Sequence, residues 1–193
     1  MKKLLLIGGG GHALSCIDVI ELTNKYKIDG IVINNKNENL TKCKIIGSDN
    51  DLLNLRKIFE FALIGIGQIK NYKIREKYFL KLKKFNYILP VIISKLAYLS
   101  SESKILEGTI VMHQAIINTS CHVGHNCIIN SRSLIEHNVY VGNNCHISTG
   151  VIINGGCKIS DNTFIGSNSV VANNININKL KFIKAHSLIK KNK

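Results

Sequence analysis

Every sixth residue from Ile105 onward is β-branched: Ile105, Val111, Ile117, Val123, Ile129, Ile135, Val141, Ile147, Ile153, Ile159, Ile165, Val171, Ile177, Ile183 and Ile189. Four positions after most of these stands a small side chain, as at Thr109, Ala115, Cys121, Cys127, Ser133, Cys145, Cys157, Thr163 and Ser169. One position after stands a glycine or small polar residue at Gly124, Gly142, Ser148, Ser160 and Gly166. A fixed apolar site in a six-residue unit with turn residues between predicts a parallel β-helix of the left-handed, triangular kind. Three short strands make one coil of 18 residues, and stacked coils bury a continuous apolar column. Residues 105–189 supply fifteen units, or about five coils.

The first half follows another rhythm. An apolar run at 3–7 ends in Gly8-Gly9-Gly10-Gly11-His12-Ala13, and a helix is expected from Leu14 to about Asn24. A second strand is expected at 28–33. A third run, Phe61-Ala62-Leu63-Ile64-Gly65-Ile66-Gly67, precedes a basic helix at about 69–84 and a strand at 86–93. Alternating strands and helices predict a parallel, Rossmann-like sheet with its ligand at the strand C-termini. The expected division is residues 1–93 for this α/β domain and 94–193 for the β-helix. The glycine turn fits the relaxed G-x-G-x-x-A phosphate fingerprint, in which backbone N–H groups at a helix start receive an anion. An NAD site also requires an acid about 20 residues later, and the second strand ends instead in Asn34-Asn35.

Composition changes the picture in three ways. The 193 residues carry 26 Lys and Arg against 12 Asp and Glu, a net charge of +14. Polyphosphate ligands such as a nucleotide-sugar or coenzyme A suit that excess, whereas zinc-finger, RRM and helix-turn-helix patterns are missing. Four of the six cysteines, Cys121, Cys127, Cys145 and Cys157, follow the six-residue repeat and not zinc spacing, so buried reduced thiols are expected. The apolar start, Leu4-Leu5-Leu6-Ile7, is shorter than a signal h-region of roughly 7–15 residues, and no run reaches the ~20 of a membrane span. A cytoplasmic location is expected.

The Gly-His turn, the α/β domain and the hexapeptide repeats together resemble the bacterial sugar O-acyltransferase family. It includes sialic acid O-acetyltransferases and N-acetyltransferases of nucleotide-linked 4-amino sugars. The segment Asn130-Ser131-Arg132-Ser133-Leu134-Ile135-Glu136-His137-Asn138-Val139-Tyr140-Val141-Gly142-Asn143-Asn144-Cys145-His146-Ile147-Ser148 looks like the family's catalytic coil. The resemblance implies His137 as general base and His146, Gly155, Gly156 and Gly166 as acetyl-CoA-binding residues. It implies a substrate site for a nucleotide-sugar at Gly8, Gly10, Gly11, His12, Asn34, Asn35, Gly67, Gln68 and Asn130, a homotrimer, acetyl-CoA as co-substrate, and no metal. The chain departs from the family at Asn138, where an acid is usual, and at Asn34-Asn35 in place of Asp-Asp. It departs again at Ser94-Lys95 in place of His-Pro, and at Phe182-Ile183-Lys184-Ala185-His186 in place of a Gly-x-Pro-Ala-Lys closure.

Acetyl transfer needs a base for the nucleophile and a donor for the carbonyl oxygen. One coil after His137 (137 + 18) is Gly155, so Gly155-Gly156 stack on the same prism edge and could offer N–H groups there. Asn138 can accept a hydrogen bond from the ring in place of the acid, whereas Glu136, next along the strand, is expected to point to the other face. The expected reaction is N-acetylation of a nucleotide-linked 4-amino-4,6-dideoxy sugar for surface glycan synthesis. O-acetylation of a nonulosonic acid and a non-catalytic sugar-binding role are the alternatives. A γ-type carbonic anhydrase shares the β-helix but needs an H-x4-H pair. The spacings here are His122-x2-His125 and His137-x8-His146.

Overall fold

The computed structural model describes residues 1–35, 39–178 and 181–192. Strand β1 (Lys2–Ile7), helix α1 (Gly11–Thr23), β2 (Tyr26–Val32), β3 (Ile45–Gly47), the short α2 (Leu52–Leu55), β4 (Phe61–Ile64) and α3 (Lys73–Lys84) form the first unit. The sheet is parallel, in the order β3-β2-β1-β4. Its central strand alternates between two cores. Leu4 and Leu6 face α1, with Ala13, Cys16, Val19 and Ile20, while Leu5 and Ile7 face α2 and α3, with Leu52, Tyr78 and Leu82.

Among the described residues seventeen two-residue strands follow, the first at Ile92–Ile93 and the last at Leu188–Ile189. Each pairs in parallel with the strands 18 residues away, as His122 does with Tyr140, and they sort into sheets of five, six and six strands. Face 1 starts its strands at Ile92, Ile110, Ile128, His146, Phe164 and Phe182. Face 2 starts its strands at Tyr98, Ile116, Leu134, Ile152, Val170 and Leu188. Face 3 starts them at Lys104, His122, Tyr140, Lys158 and Asn176. This is the left-handed β-helix expected. The β-branched column is the inward one, with every residue from Val111 to Ile177 at 0% exposure. Fully burying such a side chain is worth roughly 1.5–3 kcal/mol. The four repeat-column cysteines are buried and unpaired.

A third column sets the corners. Three residues after the inward position, the backbone is left-handed at Gln114, Ser120, Asn126, Arg132, Asn138, Asn144, Asn162, Asn168, Asn174 and His186, and at Gly108, Gly150 and Gly156. Asparagine tolerates this conformation better than other residues with a side chain. Six of the chain's asparagines, Asn126, Asn138, Asn144, Asn162, Asn168 and Asn174, meet this corner requirement.

The expected strand at 86–93 is divided. Ile88 bridges to Phe61, beside β4, but Ile92–Ile93 pairs with Ile110–Val111 and opens face 1. The inward column thus begins at Ile93 and Leu99, two units before Ile105. The basic helix starts at Lys73 and not near 69. The freed residues follow Gln68, which bonds to Asn144 and His146 of the β-helix. Face 1 is covered by the α/β unit, where Ile92, Ile110, Met112 and Ile128 share one core with Leu4, Ala13 and Val19. Among the described residues, no helix is long and apolar enough to cross a membrane.

Candidate active site

The glycine turn is built for close backbone approach. Gly8 has φ +103, and a Cβ there would lie 2.8 Å from Ile66 Cγ1. Gly10 caps α1 with extended backbone and no side-chain hydrogen bond. No side chain therefore competes for the orphan N–H groups of the first turn. A Cβ on Gly10 or Gly11 would meet nothing within 4 Å. Here opens a pocket of about 440 Å³, lined by Gly8 to His12, Val32 to Asn34, Gly65 to Gly67, Ile74 and Tyr78. A second cleft of about 410 Å³, with Ser48 and Asp51, continues it past Ile33 and Asn34. Asn34 is fixed at the junction. Its Oδ1 accepts from the Asp49 N–H at 3.0 Å, and its Nδ2 lies 3.5 Å from the Tyr78 hydroxyl, which donates to Asp49 Oδ1 at 2.7 Å. Of the expected substrate residues, Gly8, Gly10, Gly11, His12, Asn34 and Gly67 share this pocket, while Asn35 and Gln68 are not among its lining residues.

Gln68 instead turns to the β-helix. Its Nε2 donates to the Asn144 carbonyl at 2.7 Å, and its own carbonyl accepts the His146 Nδ1–H. Asn130 Nδ2 donates to His146 Nε2 at 3.2 Å. His146 is 6% exposed, and burial above all lowers its pKa to about 4. Both ring nitrogens are occupied, so neither can bond to acetyl-CoA without displacing Gln68 or Asn130. The expected coenzyme residue and the expected substrate residue Asn130 form one inter-domain seam. Beside it, Arg75 is wholly buried, donating to the Ile64 and Ile66 carbonyls at 2.8 and 2.6 Å and to Asn126 Oδ1 at 3.0 Å. His12 is neutral, its pKa lowered to about 3 by burial and then by the charges of Arg75 and His146.

His137 lies exposed at the corner between faces 2 and 3. Its Nδ1–H donates to Asn138 Oδ1 at 2.9 Å, which leaves the Nε2 lone pair free for a proton. Asn138 has φ +59, so it meets the corner requirement and orients the ring at once. Glu136 is spent elsewhere, accepting from Asn118 Nδ2 at 2.9 Å. The ring lies flush against Gly155, where a Cβ would be 2.6 Å from its Cε1 and 2.7 Å from its Nε2. The two glycines then part ways. The Gly156 N–H donates to the His137 carbonyl at 3.0 Å, whereas no bond from the Gly155 N–H occurs among the described residues. Gly155 alone retains a free donor beside the base. Gly166 lies in a close coil contact, with a Cβ position 2.4 Å from the Ala185 nitrogen.

Three further histidines contact neighbouring side chains, while His186 is an exposed corner residue. His113 bridges Asp18 of α1 and Ser94, each at 2.7 Å. His122 stacks on Tyr140, and His125 packs on Phe79. Sequence reasoning missed Arg75 and Tyr78. Their spacing of three on the buried side of α3 was the available signal, hidden among lysines.

A triangular prism puts the corner between faces 2 and 3 opposite face 1, which carries the α/β unit. The pocket and His137 are therefore on opposite sides of one chain. They are at one height along the prism, because the gripped residues Asn144 and His146 belong to the coil running from His137 to Gly155.

Residues 3–82 match the profile of the PglD N-terminal domain, and residues 138–173 match that of the bacterial transferase hexapeptide, six repeats. No curated protein matches the chain. Among solved structures, PerB from Caulobacter crescentus, in complex with CoA and GDP-perosamine, is similar at 23% identity and a TM-score of 0.91, covering 100% of this chain and 90% of that one. The acetyltransferase domain of PglB from Neisseria gonorrhoeae is similar at 21% identity and a TM-score of 0.92, covering 100% and 93%. At these identities the likeness establishes the fold. The two profile matches lie in sequence along one chain, a PglD-type N-terminal domain followed by bacterial transferase hexapeptide repeats.

Proposed function

We propose that the protein transfers the acetyl group of acetyl-CoA to the amine of a nucleotide-linked 4-amino-4,6-dideoxy sugar, in surface glycan synthesis in the cytoplasm. The observation that carries this reading is the His137 ring, oriented by Asn138 with Nε2 free and lying against Gly155. The sugar amine attacks the thioester carbonyl while His137 Nε2 takes its proton. The Gly155 N–H meets the oxyanion of the tetrahedral intermediate. Collapse breaks the carbon–sulfur bond, and the departing thiolate takes the proton from His137 to give CoA and the acetamido sugar. The similar fold of PerB, bound to CoA and GDP-perosamine, supports both co-substrates.

The pocket holds the nucleotide, with the diphosphate on the glycine turn. The base then comes from a neighbouring subunit, because pocket and base lie across the prism from each other. Face 2 supports such an assembly. Its outward residues, Tyr98, Ile116, Leu134, Ile152, Val170 and Leu188, form an unbroken apolar ladder, with Tyr98 and Leu188 nearly 60% exposed in the single chain. Three copies packed on this ladder make a trimer with three grooves for acetyl-CoA, each between two prisms. In this reading His146 secures the pocket to the prism rather than binding the coenzyme through a ring nitrogen.

Thiol release from acetyl-CoA, measured against a panel of nucleotide-linked 4-amino sugars and free nonulosonic acids, tests the proposal. Release with an amino sugar and recovery of the acetamide are expected. Release with only the nonulosonic acids, or none with any acceptor, would overturn it.

A further inference from the structure

We infer that Arg75 is a positioning residue for the diphosphate of the substrate, a buried positive charge held behind the glycine turns as the counter-charge to an anion in the pocket. The inference rests on the reading of that pocket as the nucleotide site.

The pocket raises the question itself. Among the described residues no Lys or Arg lines it, although a nucleoside diphosphate brings two or more negative charges. The start of α1 offers the equivalent of about half a charge. His12 at the turn is held neutral and adds none. Among the described residues a fully buried cation stands beside the pocket at Arg75, in α3 between the lining residues Ile74 and Tyr78.

Arg75 is unusual in its partners. It is 0% exposed, and an unpaired buried guanidinium is costly. Yet its acceptors are two carbonyls and one amide oxygen, all neutral. It forms no ion pair among the described residues, and its Nε, buried, has no acceptor. The adjacent Glu76 spends Oε1 on Asn144. Burial lowers the Arg75 pKa only to about 10, so the charge persists at neutral pH. A buried charge without a carboxylate is complete when an anion arrives nearby. The carbonyls that hold it, Ile64 and Ile66, flank Gly65 and fix the second glycine turn, whose Gly65, Ile66 and Gly67 form the pocket wall. The charge thus stands one layer behind that wall, in a low-dielectric setting where it acts at a distance. It selects for charge in the ligand without touching it.

A bracing role alone would give the same packing, so the test separates charge from shape. Calorimetric titration of the full-length protein with UDP and GDP, and with uridine and guanosine, is run on the wild type, Arg75→Gln and Arg75→Lys, with acetyl-CoA as control. The wild type is expected to prefer a diphosphate to its nucleoside. Arg75→Gln is expected to weaken diphosphate binding roughly 10- to 50-fold and to change nucleoside binding by less than about twofold. Arg75→Lys is expected to keep most of the preference, with little dependence on salt. Equal losses for nucleoside and diphosphate, or a preference intact in Arg75→Gln, overturn the inference and leave the pocket reading standing. A wild type that binds no diphosphate overturns both. Should Arg75→Gln fail to fold, a folded Arg75→Lys that has lost the preference is equally decisive against the charge.

Discussion

Gly155→Ala separates the base from the fold. The added methyl would lie 2.6 Å from His137 Cε1, and carbon atoms in contact need about 3.4 Å or more. The ring must retreat by about 0.8 Å or swing away. Its brace is the 2.9 Å bond to Asn138, and a stretch of that size ends it. A misplacement near 1 Å costs on the order of 10²-fold in rate, or about 2.7 kcal/mol in the barrier. The fold has no such stake. Gly155 is outside the left-handed region and His137 is free to turn into solvent. A glycine-to-alanine change at a compatible site adds about 0.4–1 kcal/mol of stability. The expected outcome is a roughly hundredfold lower kcat with Tm unchanged or slightly raised. Gly156→Ala makes the contrast. That glycine has φ +69 and a Cβ position 2.3 Å from Asn174 Oδ1, so Tm should fall with little specific effect on turnover. Thiol release and thermal melting measure both. His137→Ala should itself lower turnover by roughly 10²–10⁴-fold, and adding Gly155→Ala to it should cost nothing more. A second hundredfold loss in that background, or full activity in Gly155→Ala alone, would refute the assignment of Gly155 as the seat of the base.

Asn138→Asp should move the acidic limb of the pH–rate profile to higher pH, because a carboxylate one bond from the ring favours imidazolium; an unmoved profile would mean that residue 138 does not orient the base. Gly10→Val should raise the Michaelis constant for the sugar nucleotide and spare acetyl-CoA, since a side chain there meets nothing within 4 Å and the fold tolerates it; lost coenzyme affinity would contradict the two-site arrangement. Ile116→Glu on face 2 should turn a trimer into a folded monomer that binds nucleotide without turnover, and light scattering showing a fully active monomer would sink the shared site. The His146 pKa falls from an ordinary 6.5 to about 4 on folding, so the unfolded chain takes the proton first. The stability it brings is present above pH 6.5 and lost as pH falls through 4, up to about 3 kcal/mol; denaturant melts of His146→Gln that keep the full loss across this window would exclude His146 as its source.

Legibility in the sequence followed contact distance. The β-helix is written at a spacing of six because each coil repeats the same inward, small and corner requirements. The corner column is equally regular, as Asn126, Asn138, Asn144, Asn162, Asn168 and Asn174, but it was not singled out from the sequence. Gly155 was found by adding 18 to 137. The docking of the α/β unit was not legible, because it depends on pairs such as Gln68 with Asn144, Arg75 with Asn126 and Asp18 with His113, 76, 51 and 95 residues apart. No local period marks such pairs, so nothing in the sequence around His146 announced that its ring bonds across the seam. The strand at 86–93 misled for a related reason. An apolar run says that a segment is buried but not which of two sheets it joins.

The covered face 1 has a consequence for synthesis on the ribosome. The core that joins Leu4, Ala13 and Val19 is completed by Ile110, Met112 and Ile128, residues made long after the sheet's last strand ends at Ile64. At ~5–20 residues per second, translation of the intervening chain takes roughly 3–13 s. For that interval the nascent α/β unit has one side of its hydrophobic core open to water and to its neighbours on the polysome. The coils, whose partners are always 18 residues back, can form as they emerge, and the third strand of face 1 closes the exposed side only once Ile128 has left the tunnel. The vulnerable period of this protein is therefore set by the order of its two units along the messenger, with the dependent unit translated first.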